Sequence, residues 1–300
     1  MSQTITESAP AFPGSYAAPA SAAPVTRFRS RSGDARLNLG HIIASELYKA
    51  KALPSTWWCA AITVVLAVLV AVSAASSMPE AYAQSFMSMN NQILSMIAVT
   101  FPGVAGCLLA SVEYSSGAIR SSLAAAPRRM QWMGGKTIAA VIVLAGSQLL
   151  ALLANLTVSW LILTMRGITL SVTGFEVAAM SSFIAVAVFV GLMGFGFAIL
   201  TRSAAAAITI GFVLILILPM TFQILANFLP TFNDLMAFLP MPAMTNMSDF
   251  AASDPAMANT DPDATPVSFW WTQTGGLVVS LIWVALSLGS AAVLLQRRDA

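Results

Sequence analysis

The chain has 300 residues and a mass of 31.4 kDa, with 58% of its residues hydrophobic, 9% charged, a net charge of +2 and a mean hydropathy of +0.80. A soluble domain carries roughly 25% charged residues, and here the apolar residues fall in blocks of about 20 that match the hydrocarbon thickness of a bilayer. That excludes a soluble globular enzyme. The basic residues flank those blocks with no nucleic-acid-binding motif behind them, so nucleic acid is not an expected partner.

Residues 1–36 are rich in Ala, Pro and Ser and hold no apolar run of signal-peptide length, which predicts a disordered cytoplasmic tail and a first span that serves as its own insertion signal. Residues 37–53 follow, with Leu39, Ile43 and Leu47 at i, i+4 and Ser45 and Lys49 opposite. That pattern predicts an amphipathic helix lying at the membrane interface. Pro54 ends it, Trp57 and Trp58 are placed to anchor at headgroup level, and the lone His41 is expected to contact headgroups. Six apolar spans come next, at 58–76, 92–112, 137–164, 177–200, 204–227 and 272–295. All must be helices, because an open sheet leaves backbone groups unpaired in hydrocarbon and no barrel-type alternation is present. The expected fold is therefore an all-α integral membrane protein, with one six-helix domain over residues 37–300. The third run, about 28 residues or roughly 42 Å long, should tilt or project beyond the bilayer.

Orientation follows from Lys and Arg. With a cytoplasmic N-terminus, 13 of the 14 fall inside and only Arg166 lies outside, which places both termini in the cytoplasm and the chain in the cytoplasmic membrane. Residues 228–271 then form an external loop with Asp234, Asp249, Asp254, Asp261 and Asp263 and no Lys or Arg. Within it Met241, Met244 and Met247 have a spacing at which thioethers can present soft ligands to Cu(I), but packing in a lid is the commoner role of methionine.

Catalytic signatures fail one by one. Gly134-Gly135-Lys136-Thr137 resembles the end of a phosphate-binding loop, yet Met130 stands where that loop needs glycine, so the expectation is a juxtamembrane lysine followed by a helix start. No zinc cluster or triad can be built around one histidine, and Cys59 and Cys107 form neither a disulfide framework nor a CxxC pair. No span carries an ionisable residue away from its ends, which disfavours an ion-coupled carrier. Gln148 and Asn155 share one face of the third span, where helix-to-helix hydrogen bonding is favoured over substrate contact. Gly191, Gly194 and Gly196 permit close helix approach in the fourth.

The most informative stretch is 113–136, which leaves the second span directly and mixes charge with buried-type residues. As a helix it puts Glu113 and Arg120 two turns apart on one side, with Ile119 and Leu123 on another, until Pro127 stops it. Such a helix can dock into a groove on a cytosolic partner, although an ordinary basic loop on headgroups has equal physical claim. Together, Ser45-Glu46-Leu47-Tyr48-Lys49, Pro54-Ser55-Thr56-Trp57-Trp58, Glu113-Tyr114-Ser115-Ser116-Gly117-Ala118-Ile119-Arg120, Pro127-Arg128-Arg129 and Leu200-Thr201-Arg202-Ser203 resemble the ABC-2 type transporter permeases, especially the small actinobacterial-style ones.

That resemblance, over residues 37–298, implies the membrane half of an ATP-driven exporter. It implies a cytosolic ATPase subunit that holds ATP and magnesium, no cofactor in this chain, and a second permease copy or a related permease as partner. Carried over, 113–136 becomes the coupling segment that receives the ATPase's motion. Glu113, Tyr114, Gly117 and Arg120 would shape and brace it, and Arg128, Arg129 and Lys136 would hold it at headgroups or meet acidic partner groups. Phe101, Pro102, Gln223 and Asn227 are the candidates for a translocation surface facing the second copy, with Pro102 expected to kink its helix. Charge reversal at Glu113 is expected to abolish export without blocking insertion. The competing expectation is a non-transporting scaffold or immunity-type protein that uses the same segment only to recruit a cytosolic partner. Nothing in the spans selects a substrate.

Overall fold

The computed structural model describes residues 38–77, 79, 86, 90, 93–94, 100–119, 129–168, 174–248 and 268–297, with backbone alone for 174–179. Among these residues the regular structure is helical, without a strand. The elements in order are α1 (Leu39–Ala52), α2 (Pro54–Ser77), α3 (Phe101–Ser115), α4 (Arg129–Met165), α5 (Gly174–Thr201), α6 (Ala204–Phe212), a π-helical turn (Val213–Ile217), α7 (Leu218–Ala226), α8 (Thr231–Met236), α9 (Pro240–Ser248), a 3-10 turn (Phe269–Trp271) and α10 (Gln273–Arg297). Five stretches are long and apolar enough to cross a membrane: Pro54–Ser77, Arg129–Met165, Met180–Thr201, Ala204–Ala226 and Gln273–Arg297. This is the pattern of a multi-pass membrane protein. The expected span at 92–112 corresponds to α3, but most of 92–99 lies outside the described residues.

Helix α5 is the centre of the bundle. Two thirds of its apolar window (67%) is buried inside the protein, against 17% for Ala204–Ala226. Its glycines explain how neighbours come so close. A Cβ on Gly106 of α3 would overlap the Gly191 carbonyl, and one on Gly194 would stand 2.5 Å from the Gly103 carbonyl, so the α3 and α5 backbones pack directly. Gly196 does the same against Ser287 of α10. On the outside, Val65, Leu69, Leu149, Leu153, Leu281 and Leu286 are exposed. An exterior as apolar as the core is solvated by lipid, not water.

Several elements differ from their sequence-based expectation. Helix α4 starts at Arg129, eight residues before the expected 137, and runs for 37 residues, or about 55 Å at 1.5 Å per residue. It passes through Gly134 and Gly135, each costing about 1 kcal/mol in a helix, because α1 packs there: a Cβ on Gly135 would lie 2.6 Å from Ile42 Cγ2. On α1 the buried face is Ile42, Glu46 and Ala50, with Leu47 and Ile43 only half-buried beside it. Pro102 stands in the first turn of α3, where a missing N–H is harmless, and so makes no mid-helix kink. Helix α3 ends at Ser115 and Gly117 turns the chain at φ 71°, so the helix expected from Glu113 onward is broken at 116–118; Ile119 is helical again, and 120–128 lie outside the described residues.

The fifth span is also less regular than its hydropathy implies. It opens after a sharp reversal at Arg202 (φ 55°), where the Ser203 hydroxyl accepts from the Ala206 N–H. It then widens into the π turn just before Pro219, whose ring cannot donate to the carbonyl four residues back. The segment 228–271 is not a plain loop. Helix α8 packs on α7 and α9 packs on α10, the Trp283 Nε1–H donates to the Phe238 carbonyl at 2.9 Å, and Phe238 packs on Trp270. Asp249, Asp254, Asp261 and Asp263 lie outside the described residues.

Candidate functional site

Four charged side chains meet where α1, the C-terminal end of α3 and the early part of α4 converge. Helix α1 delivers Glu46 and Lys49, α3 delivers Glu113 and α4 delivers Lys136. Lys49 Nζ lies 2.6 Å from both Glu46 Oε1 and Glu113 Oε1, and Lys136 Nζ lies 3.2 Å from Glu46 Oε2 and from Glu113 Oε1. Two carboxylates thus alternate with two ammonium groups in a neutral quartet. Glu46, Glu113 and Lys136 are buried, whereas the Lys49 side chain remains 43% exposed.

Local sequence explains why the four can meet. Glu46 lies one turn from Ile42 and one from Ala50, so packing Ile42 into the notch at Gly135 brings Glu46 over the next residue, Lys136. Lys136 also sits 5.3 Å from the Trp132 ring centroid, one turn earlier on α4. Burial alone pulls the Lys49 ammonium down, but the hydrogen bonds and charges of Glu113 and Glu46 outweigh it and hold Lys49 above the ordinary lysine range. The arrangement is suited to fastening three helices together at one end of the bundle.

The expected coupling residues therefore divide. Glu113 and Lys136 are brought together, with each other and with α1, and Lys136 is buried there. Arg129 Nη1 donates to the Leu295 carbonyl at 2.9 Å, near the end of α10, because α4 extends far enough to pack there. Tyr114 packs against the core, and Gly117 takes the left-handed conformation. Arg120 and Arg128 lie outside the described residues. Glu46 and Lys49 had no assigned role in the sequence; the available signal was an acid placed between Ile42 and Ala50 on an otherwise basic interfacial helix. Charge reversal at Glu113 now carries a folding cost, since it would set three ammonium groups around Glu46 alone.

The remaining candidates are spread through the bundle. Asn155 Nδ2 donates to the Ala67 carbonyl at 2.8 Å, and Asn90 Nδ2 donates to Asn155 Oδ1 at 2.8 Å, so Asn155 ties helices together. Gln148 is buried and borders a cavity of about 10 Å³ together with Phe101 and Pro102. Gln223 and Asn227 are exposed on the fifth span. An apolar cavity of about 60 Å³ lies between α3, α5 and the π turn, and none of Phe101, Pro102, Gln223 or Asn227 lines it. Met244 and Met247 belong to the buried core, with Met241 packed against it. Cys107 is buried and its thiol donates to the Gly194 carbonyl, while Cys59 is half-buried; both are free. No protein-family model matches the sequence, and no curated protein matches it significantly.

Proposed function

We propose that this chain is the membrane subunit of an ATP-driven exporter, a permease of ABC-2 type that works with a separate cytosolic ATPase. In this reading it has six spans and both termini in the cytoplasm, and it pairs with a second permease. ATP-driven closure of the ATPase pushes on residues 113–136 and favours an outward-open arrangement of the helices over an inward-open one. The observation that carries the proposal is the Glu46–Lys49–Glu113–Lys136 quartet. It fastens both ends of that segment to the interfacial helix, so force applied there reaches three helices at once. Orientation has separate support. Arg166, the one Lys or Arg placed outside, donates to the Ala75 carbonyl near the end of α2, at the opposite end of α4 from the quartet.

The test is affinity purification of the tagged chain in mild detergent, followed by an ATPase assay and then by reconstitution into vesicles. A stoichiometric partner that hydrolyses ATP, with nucleotide-dependent movement of material across the vesicle membrane, is the expected result. A partner that binds without any flux would overturn transport in favour of recruitment. Flux driven by an ion gradient without ATP would overturn the engine.

A further inference from the structure

A cavity of about 350 Å³ opens where α1, α2 and α4 meet, on the flank of α1 next to the quartet. Its walls include Leu47, Trp57, Ile142, Gly146 and Leu150, and it is mostly apolar. It is far larger than the other cavities described above. From Ile142 to Leu150 it follows α4 for roughly 12 Å at 1.5 Å per residue, away from the charged end of the bundle and toward its apolar middle.

The two ends of this groove differ chemically. Lys51, in the last turn of α1, lines its mouth, is exposed, and makes no ion pair among the described residues. Trp57 forms one side, held by donating Nε1–H to the Lys51 carbonyl at 2.9 Å. Farther in, the Ser147 hydroxyl is already donating to the Leu144 carbonyl, so the deep end offers hydrocarbon and little else. A cation and an indole at the interface above an apolar slot match an anionic headgroup above an acyl chain. Both helices flanking the slot present exposed apolar residues, including Ile62, Val65, Leu149 and Leu153, so lipid is the medium at its opening.

We propose that this groove is a binding site for one anionic phospholipid, with an acyl chain along Ile142–Leu150 of α4 and the phosphate at Lys51. The site is independent of whether the chain exports anything. It follows only from the membrane setting and the groove's shape and charge. Hydrocarbon gains little on moving from bilayer to groove, so preference among lipids comes from the headgroup, at roughly fivefold for one lysine near the surface.

Gly146 supplies a clean probe, because a Cβ there meets nothing within 4 Å. Gly146→Leu fills the groove without a backbone clash, and Gly289→Leu on α10, equally open, is the matched control. The full-length protein, purified in detergent and stripped of lipid, is titrated with phosphatidylglycerol or phosphatidylcholine and read by native mass spectrometry. The expected result is one tightly held phosphatidylglycerol per chain, bound about fivefold better than phosphatidylcholine. Gly146→Leu should lose it, Gly289→Leu should keep it, and Lys51→Gln should keep a lipid but lose the preference. Lipid retention by a monodisperse Gly146→Leu protein would overturn the site. An unchanged preference in Lys51→Gln would overturn the headgroup assignment. Crosslinking of a cysteine at position 146 to a second copy, in place of lipid binding, would show the groove to be a protein interface and overturn both.

Discussion

Replacing Lys136 with methionine tests whether the quartet acts as one unit. At 3.2 Å each contact from Lys136 to a carboxylate is an attraction of about 5 kcal/mol at an effective dielectric of about 20, most of it spent on desolvating the charges. Methionine keeps the stem volume but leaves two buried carboxylates facing one half-exposed ammonium, and breaking a buried pair from one side costs about 3–5 kcal/mol. Adding Glu46→Gln removes the second carboxylate, so Glu113 keeps Lys49 at 2.6 Å without a competing acid. The double variant should therefore regain about 2 kcal/mol over the sum of the single losses, within the range found for residues in one network. The assay is SDS titration of the purified protein in dodecylmaltoside micelles, followed by circular dichroism. Single losses that add to within about 0.5 kcal/mol would show the charges to be independent and refute the quartet.

Gly106→Ala should lower stability in the same assay by about 1–3 kcal/mol through overlap with the Gly191 carbonyl, whereas Gly211→Ala, with open space around it, should be close to neutral. Lys49 is held above the ordinary lysine value of 10.5, so its contribution is fully present below that pH and is lost only as pH rises through the raised value. Stability attributable to Lys49, measured against Lys49→Met, should thus be flat from neutral pH to about 10 and fall beyond. Asn155→Leu should cost about 1–2 kcal/mol by removing the bonds to Ala67 and Asn90, and Thr157→Val, on the exposed side of the same helix, should cost less.

What the sequence made legible is what the bilayer dictates. Blocks of some 20 apolar residues can only be helices in lipid, so α2, α5 and α10 lie close to their expected places. Glu113 stood out because an acid directly after an apolar run is conspicuous, but its partners did not. Lys136 lies 23 positions along the chain and Lys49 lies 64 residues before it, and no local periodicity reports a contact made by three converging helices. Gly135 was legible only as a failed nucleotide motif. Its role depends on Ile42 arriving from a distant helix, and that same contact overrides glycine's poor helix propensity and extends α4 back to Arg129. The helices within 228–248 were hidden for a related reason: α8 and α9 are too short to show a period, and α9 is stabilised by docking on α10, next to the Trp283 bond to Phe238.

The quartet holds α1 to α3 and α4, so α1 is not the joint at which the bundle flexes. A displacement delivered to the segment between Glu113 and Lys136 must carry α1 along as part of one body. The flexing must then fall where the chain leaves that body: at Leu53, an extended residue (φ −85°, ψ 115°) between α1 and α2, or at the left-handed Arg202 that joins α5 to the fifth span. Under the proposed function, locking α1 to α4 should therefore leave transport intact. A Cβ on Gly135 would lie 3.1 Å from the Ile42 Cβ, slightly inside the usual disulfide separation of about 3.5–4.5 Å, so Ile42→Cys with Gly135→Cys, in a chain whose Cys59 and Cys107 are replaced by serine, should oxidise to a crosslink. ATP-driven export by the crosslinked protein should stay within about twofold of its reduced form. Loss of export on oxidation, restored by reductant, would mean that α1 moves against α4 during the cycle, and the quartet would then be a latch that opens in place of a rivet.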